Sequence, residues 1–281
     1  MRAPKKHGRT YGAISASNDP ESKTDFGPFL PNFDVVPFGN DEALEALLNK
    51  QGKSTAAVFL EPIQGEAGIV VPPDGYLKRV RQLCTKHNVL MAVDEVQTGL
   101  GRTGTMLRCD YENVRPDVVA LGKALSGGML PISCVMANDD VMLVLDPGSH
   151  GSTYGGNPLA ARCAVAALDV ILDEKLPERA AHLGEVFRSR LVERLPKYAS
   201  VRGAGLLNAV VIKPQQSPTL GREAFAMDVC LEMLHNHGIL AKPTHQDIIR
   251  FAPPLVIPES DLIKACDSIV DAVVEVFGRD A

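Results

Sequence analysis

The 281-residue chain has no surplus of basic residues: 29 lysines and arginines stand against 34 acids, a formal charge of −5. Nucleic acids select basic surfaces, so no nucleic-acid partner is expected. No apolar run reaches the roughly 18–20 residues that span a bilayer, and no membrane partner is expected either. The six cysteines (Cys84, Cys109, Cys134, Cys163, Cys230 and Cys266) include no C-x-x-C pair. Without such spacing they read as free thiols in a reducing compartment. His7, His150 and His245 lack metal-ligand spacing, so no metal is assigned. A G-x-S-x-G elbow and a Walker loop are both missing, which argues against serine-hydrolase and P-loop chemistry. The opening MRAPKKHGRT has no apolar signal-peptide core, and Arg2, Lys5 and Lys6 form too short a basic run to define a transit peptide. There is no internal repeat and no low-complexity segment.

Apolar segments that alternate between two periodicities are plentiful. Pro, Gly and Asn punctuate residues 18–40, which reads as irregular surface chain. A short helix is expected over 41–50, with Asn40 or Asp41 as its N-cap. TAAVFLEPI reads as a strand ending at Pro62. In the following PDGYLKRVRQLCTKHN, Leu77, Val80, Leu83 and Cys84 fall on one helical face. VLMAVDEV, PDVVALGK and PISCVMA read as three further strands. Strands apolar along their length, alternating with helices, predict a mostly parallel α/β sheet covered on both faces. A long helix from Asn157 leads to Pro177. Beyond it come helix 178–195, the strands in SVRGAGLLNAVVI, helix 221–237, strand DIIRFAPPL and helix 259–278. The expected organisation is a large domain over 1–176 and a smaller α+β domain over 177–281.

Polar residues gather at the predicted strand ends: Glu61, Asp94 and Lys123. In open α/β sheets that end faces the ligand. Lys123 is the one charge in VVALGKALSGGMLPISCVMA. It is either an exposed lysine just past a strand or an amine kept neutral by desolvation or imine formation. Asp94 is either a solvated strand-end acid or the partner of a pyridine nitrogen, holding it protonated so that the ring accepts electrons from a carbanion. Ser152–Asn157, with Thr153, suits either a turn with an N-cap or a phosphate site. Arg9 in HGRT and Arg250 in DIIRFAPPL can each pair with a carboxylate, and Glu66 can pair with one of them.

The ordered set FLEPIQGEAG, AVDEVQTGLGRTG, ALGKALSGGMLPIS and GSTYGGNPLA is far more specific than its members. It resembles the class III, pyridoxal-phosphate-dependent aminotransferases of fold type I, from His7 onward. The runs DGYLKRVRQLCTKHNVL, VRGAGLLNAVVI and GILAKPTHQDIIRFAPPLVI are similar to the ornithine-specific branch of that family. The resemblance implies pyridoxal 5′-phosphate as cofactor, and ornithine and 2-oxoglutarate as substrates. Lys123 would form the imine with the cofactor and move the proton. Asp94 would pair with the ring nitrogen, and Gln97 with the phenolic oxygen. Thr153 would bind the phosphate of the neighbouring subunit, implying at least a homodimer. Arg250 would bind the α-carboxylate in the 2-oxoglutarate half-reaction. Glu66 would pair with Arg250 when ornithine enters by its δ-amine, and Arg9 would then hold the ornithine carboxylate. Glu61 would lie near the substrate and the cofactor hydroxyl.

Two departures accompany the resemblance. Lys6 stands where the family has an aromatic residue that stacks on the cofactor ring. Family members also carry a further N-terminal part with a phosphate-cupping turn, so a shortened chain is expected, in the cytoplasm or, with a presequence, in the mitochondrial matrix. The alternatives are a family enzyme for N-acetylornithine or 4-aminobutyrate, and a non-catalytic partial subunit.

Overall fold

The computed structural model describes residues 7–278 except 214 and 222. Arg2, Lys5 and Lys6, discussed above, lie outside the described residues. The chain forms two compact units. The first holds the chain up to Gly65, then Pro72–Leu100 and Thr105–Glu174; the second holds Glu66–Val71, Gly101–Gly104 and the chain from Lys175.

The first unit runs α1 (Tyr11–Ala16), α2 (Pro20–Lys23), α3 (Asp41–Gln51), β1 (Ala57–Leu60), α4 (Tyr76–His87), β2 (Leu90–Asp94), β3 (Val118–Leu121), β4 (Cys134–Ala137), α5 (Asp139–Met142) and α6 (Pro158–Asp173). Its sheet has the order β1-β2-β3-β4, with the first three strands parallel and β4 antiparallel. Leu60 lies opposite Val93 and Asp94 opposite Ala120, so the carboxyl ends of β1, β2 and β3 lie side by side.

α4 buries the face that its spacing selects: Val80, Leu83 and Cys84 are fully buried against β2 and α3. It stops at Asn88, whose left-handed backbone lets its N–H reach the Cys84 and Thr85 carbonyls, while Lys86 and His87 complement the dipole of the last turn. Truncating Leu83 to alanine would cost about 2–5 kcal/mol through the cavity left behind. Asn157 caps α6 by accepting the Ala160 N–H at 2.9 Å, and Pro158 fits the first turn because no N–H is needed there.

The first unit has the expected mostly parallel sheet with helices, and burial varies along its outer strands. Val58 and Leu60 are buried, but Phe59 between them is 37% exposed. Val135 and Met136 on β4 are exposed as well. β1 and β4 are the sheet's edges, and the His7 ring stacks on Phe59.

The second unit contains α7 (Leu176–Arg194), β5 (Ala199–Ala204), β6 (Leu207–Ile212), β7 (Gln215–Gln216), β8 (Glu223–Ala224), α8 (Ala226–His237), β9 (Lys242–Thr244), β10 (Ile248–Phe251) and α9 (Glu259–Phe277). An antiparallel sheet, β5-β6-β10-β9, packs with the three helices around Phe187, Leu191, Val210, Met233, Ile249, Val273 and Phe277. α8 begins at Ala226 rather than 221, because Glu223–Ala224 pair with Gln215–Gln216 and Asp228 accepts the Phe225 N–H at 2.8 Å. β9 has no sequence signal. It holds Pro243, which suits a sheet edge, where a ladder donor is dispensable.

Candidate functional site

The carboxyl end of β2 places Asp94 below the surface, 8% exposed. Its Oδ1 accepts the Val96 N–H at 3.0 Å, and its Oδ2 lies 2.6 Å from His7 Nδ1. The His7 ring stacks on Phe59 of β1 with centroids 3.9 Å apart. Its Nε2 is buried and makes no hydrogen bond among the described residues. Sequence reasoning missed this role of His7. The available signal was its place two residues before Arg9 in HGRT, but spacing alone cannot pair groups 87 residues apart.

Glu95 faces the interior, beside Asp94 in sequence. Its Oε1 accepts the Cys109 N–H at 2.9 Å, and Thr98 Oγ1 donates to its Oε2. Burial pushes its pKa up, and these donors oppose the rise. Glu95 thus fastens the loop that follows β2, while Asp94 pairs with His7. Gln97 lies so close to Gly65 that a Cβ on that glycine would come within 2.5 Å of Gln97 Oε1. Glu61, 4% exposed beyond β1, accepts the Gly65 N–H at 3.2 Å. Glu61, Gly65 and Gln97 therefore form one packed group.

Lys123 opens a single 3-10 turn, Lys123–Ser126, directly after β3. It is exposed, while Leu125 and Ser126 turn inward. The apolar character of the run therefore belongs to its neighbours, and the lysine side chain is open to a ligand at the strand end. The backbone there is left-handed, with φ of +42°. For a residue with a Cβ this costs roughly 1–2 kcal/mol and is typical of functional positions. α6 packs against the turn and supports it. Arg9 and Thr153 both lie at the surface, Thr153 in the turn ahead of α6.

In the second unit, Arg250 on β10 donates from Nη1 to Glu66 Oε1 at 2.7 Å. Their side chains are 15% and 24% exposed. Arg250 Nε is buried with no hydrogen bond among the described residues, so the guanidinium retains a donor. Glu232, His237 and Glu275 bring potential metal-ligand atoms within 4.8 Å of one another. The His237–Glu275 contact at 3.2 Å and the Asn236–Glu232 hydrogen bond account for that group as surface polar pairs. All six cysteines are free thiols. No helix among the described residues is long and apolar enough to cross a membrane.

Residues 5–273 match the family model for aminotransferase class-III. The chain is 56% identical over 264 residues to the mitochondrial ornithine aminotransferase of Drosophila melanogaster, covering 93% of this chain and 58% of that protein. Its fold matches a crystal structure of the Toxoplasma gondii ornithine aminotransferase, described with partial occupancy of PLP at the active site. The TM-score is 0.90 at 46% identity, over 96% of this chain and 62% of that one. An acetylornithine aminotransferase from Elizabethkingia anophelis matches with a TM-score of 0.81 at 50% identity, over 88% of this chain and 63% of that one. The chain thus spans about three fifths of the length of these relatives.

Proposed function

The chain belongs to the class-III aminotransferases, and on that footing we propose that the protein transfers the δ-amino group of L-ornithine to 2-oxoglutarate, giving L-glutamate 5-semialdehyde and L-glutamate, with pyridoxal 5′-phosphate as its cofactor. The fold is that of the fold type I pyridoxal-phosphate enzymes. The observation that carries the substrate reading is the Arg250–Glu66 pair with its unused, buried Nε donor.

The residues present fit the cofactor. A buried carboxylate suits a protonated ring nitrogen, an amine suits an aldehyde, and an amide donor suits a phenolic oxygen. Asp94, Lys123 and Gln97 supply these three groups at the ends of neighbouring strands or in the loop after β2. When bound, the cofactor supplies an aldehyde that takes up the amino group and a ring that accepts the electron pair released at the substrate carbon.

Asp94 holds the proton on the ring nitrogen, and the His7 contact fixes the orientation of its carboxylate. Gln97 donates to the phenolic oxygen, kept in place by the room that Gly65 leaves. Lys123 would supply the amine that holds the cofactor by its aldehyde, and its Nζ would move the proton at the substrate's reacting carbon. Arg9 binds the carboxylate of ornithine, while Glu66 occupies Arg250. In the 2-oxoglutarate half-reaction Glu66 gives way, and Arg250 binds the incoming α-carboxylate in a fork-to-fork pair. Glu61 lies near the substrate and the cofactor hydroxyl. Thr153 binds the phosphate held by the neighbouring subunit of a homodimer. The exposed apolar side chains of Met129, Val135, Met136, Leu143, Val144 and Tyr154 support such a dimer. Six free thiols suit a reducing compartment, the cytoplasm or the mitochondrial matrix.

The Elizabethkingia likeness favours N-acetylornithine as a second substrate reading. Turnover of ornithine and N-acetylornithine by the full natural chain separates the two. A higher kcat/KM for ornithine is expected, and preference for the acetylated substrate would reject the assignment.

A further inference from the structure

The segment carrying Glu66 sits on a row of three residues in the second unit's sheet. Arg202 of β5 lies opposite Ala209 of β6, and Ala209 lies opposite Arg250 of β10. Directly paired residues point to the same face, so the two arginines flank the small, fully buried Ala209 on one side of the sheet. Both hold the segment Glu66–Val71. Arg202 donates from Nε and Nη2 to the Gly68 carbonyl at 3.1 and 2.7 Å. Arg250 donates to the Glu66 carboxylate two residues earlier.

The backbone between these anchors is not one that relaxed chain adopts. Gly68 and Ile69 have φ of +99° and +54°. A β-branched residue at positive φ is strained and persists only where its surroundings enforce it. Two features enforce it here. Ile69 is fully buried, and Gly68 packs so tightly that a Cβ would come within 2.5 Å of Ile248 Cδ1, two residues before Arg250.

We propose that Arg202 is a positioning residue for substrate selection: its fork on the Gly68 carbonyl fixes the segment 66–71, so that Glu66 engages or leaves Arg250 by side-chain rotation alone. One arginine of the row is a permanent anchor, because it grips backbone. The other is exchangeable, because it grips a side chain. The proposal rests on the ornithine/2-oxoglutarate reading, in which Glu66 must alternate. Without the anchor, the strained turn relaxes and Glu66 is presented to Arg250 less often. Arg250 is then open to α-carboxylates in both half-reactions, and the enzyme discriminates less against entry by an α-amine.

The test uses the full natural chain as holoenzyme, with Arg202→Met, Arg202→Lys, Glu66→Ala and the double variant Arg202→Met/Glu66→Ala. The ratio of kcat/KM for ornithine to that for glutamate is measured, together with amide hydrogen exchange over residues 66–71. Arg202→Met should lower the ratio about tenfold, the factor that a lost charge-assisted hydrogen bond carries. It should act in the same direction as Glu66→Ala, and the double variant should add little to Glu66→Ala alone. Exchange at Gly68 to Val71 should accelerate in Arg202→Met and not in Glu66→Ala, with Arg202→Lys intermediate in both readouts. If Arg202→Met does not fold, Arg202→Lys decides by the same criteria. A shifted ratio in Glu66→Ala with an unchanged ratio and unchanged exchange in the Arg202 variants overturns the positioning role and leaves the substrate reading standing. An unchanged ratio in Glu66→Ala overturns the substrate reading, and the positioning role falls with it.

Discussion

His7 Nδ1 lies 2.6 Å from Asp94 Oδ2, and the same imidazole stacks on Phe59. A strand-end carboxylate is thereby held by a ring that is itself held by an aromatic face. The arrangement gives Asp94 one orientation and leaves it able to accept from a ring nitrogen. Replacing His7 with alanine removes both the hydrogen bond and the stack. Affinity for pyridoxal phosphate should fall about tenfold, from roughly 1–2 kcal/mol of lost orientation. Titrating the apoenzyme by visible absorption measures this, and an unchanged dissociation constant would remove His7 from the site.

Lys123 carries a backbone cost that its side chain does not need. At φ of +42°, glycine is comfortable and alanine is not. Both Lys123→Gly and Lys123→Ala should abolish the proposed transamination, but the glycine variant should be the more stable of the two by about 1 kcal/mol. Urea denaturation of the pair provides the comparison. Equal midpoints would mean that the turn relaxes when the lysine is removed.

Arg250→Lys keeps the charge and loses the fork. A point charge binds a planar carboxylate less well than a guanidinium does. The KM for 2-oxoglutarate should rise by roughly tenfold or more, with a smaller change in kcat. Ornithine, whose carboxylate is assigned to Arg9, should be less affected. A uniform loss for both substrates in steady-state kinetics would contradict the division of labour between the two arginines.

Asp267 on α9 accepts from Arg190 Nε at 2.8 Å and Nη2 at 2.9 Å, and also from Arg194 of the same helix, α7. The Arg190 hydrogen bonds hold its carboxyl below the ordinary value of 3.8, with the charges of both arginines acting in the same direction. A depressed folded-state pKa gives stability that is present above 3.8 and is lost as pH falls through the folded value. Asp267→Asn should therefore be less stable than the parent at neutral pH, and the difference should shrink on acidification below that window. Urea midpoints across pH test this, and a gap that is constant with pH would exclude the ion pair as its cause.

The elements that position the site were readable where one periodicity dominates. α4 follows from Leu77, Val80, Leu83 and Cys84, and the strand-end placement of Glu61, Asp94 and Lys123 follows from apolar runs that end in charge. Pro177, read as an interruption before a helix over 178–195, lies in the first turn of α7, where no donor is needed. What was not readable depends on contacts distant in sequence. The register that sets Arg202, Ala209 and Arg250 in one row is a property of pairing between strands, and no local pattern encodes it. The His7–Asp94 contact is of the same kind. The exposure of Lys123 was left open because apolar neighbours say little about which way a single side chain points after a strand ends. The exposure of Phe59 between buried Val58 and Leu60 was not readable either, since four apolar residues look the same whether one face is covered or two.

The central claim, that Lys123 and Asp94 hold pyridoxal phosphate between neighbouring strand ends, is tested most directly by one spectrum. Pyridoxal phosphate is added to the full natural chain, and the visible absorption of the lysine-bound cofactor is recorded for the parent and for Lys123→Ala. The account predicts a visible band in the parent that is absent from the variant. A band of equal strength in both, or none in the parent, would contradict it.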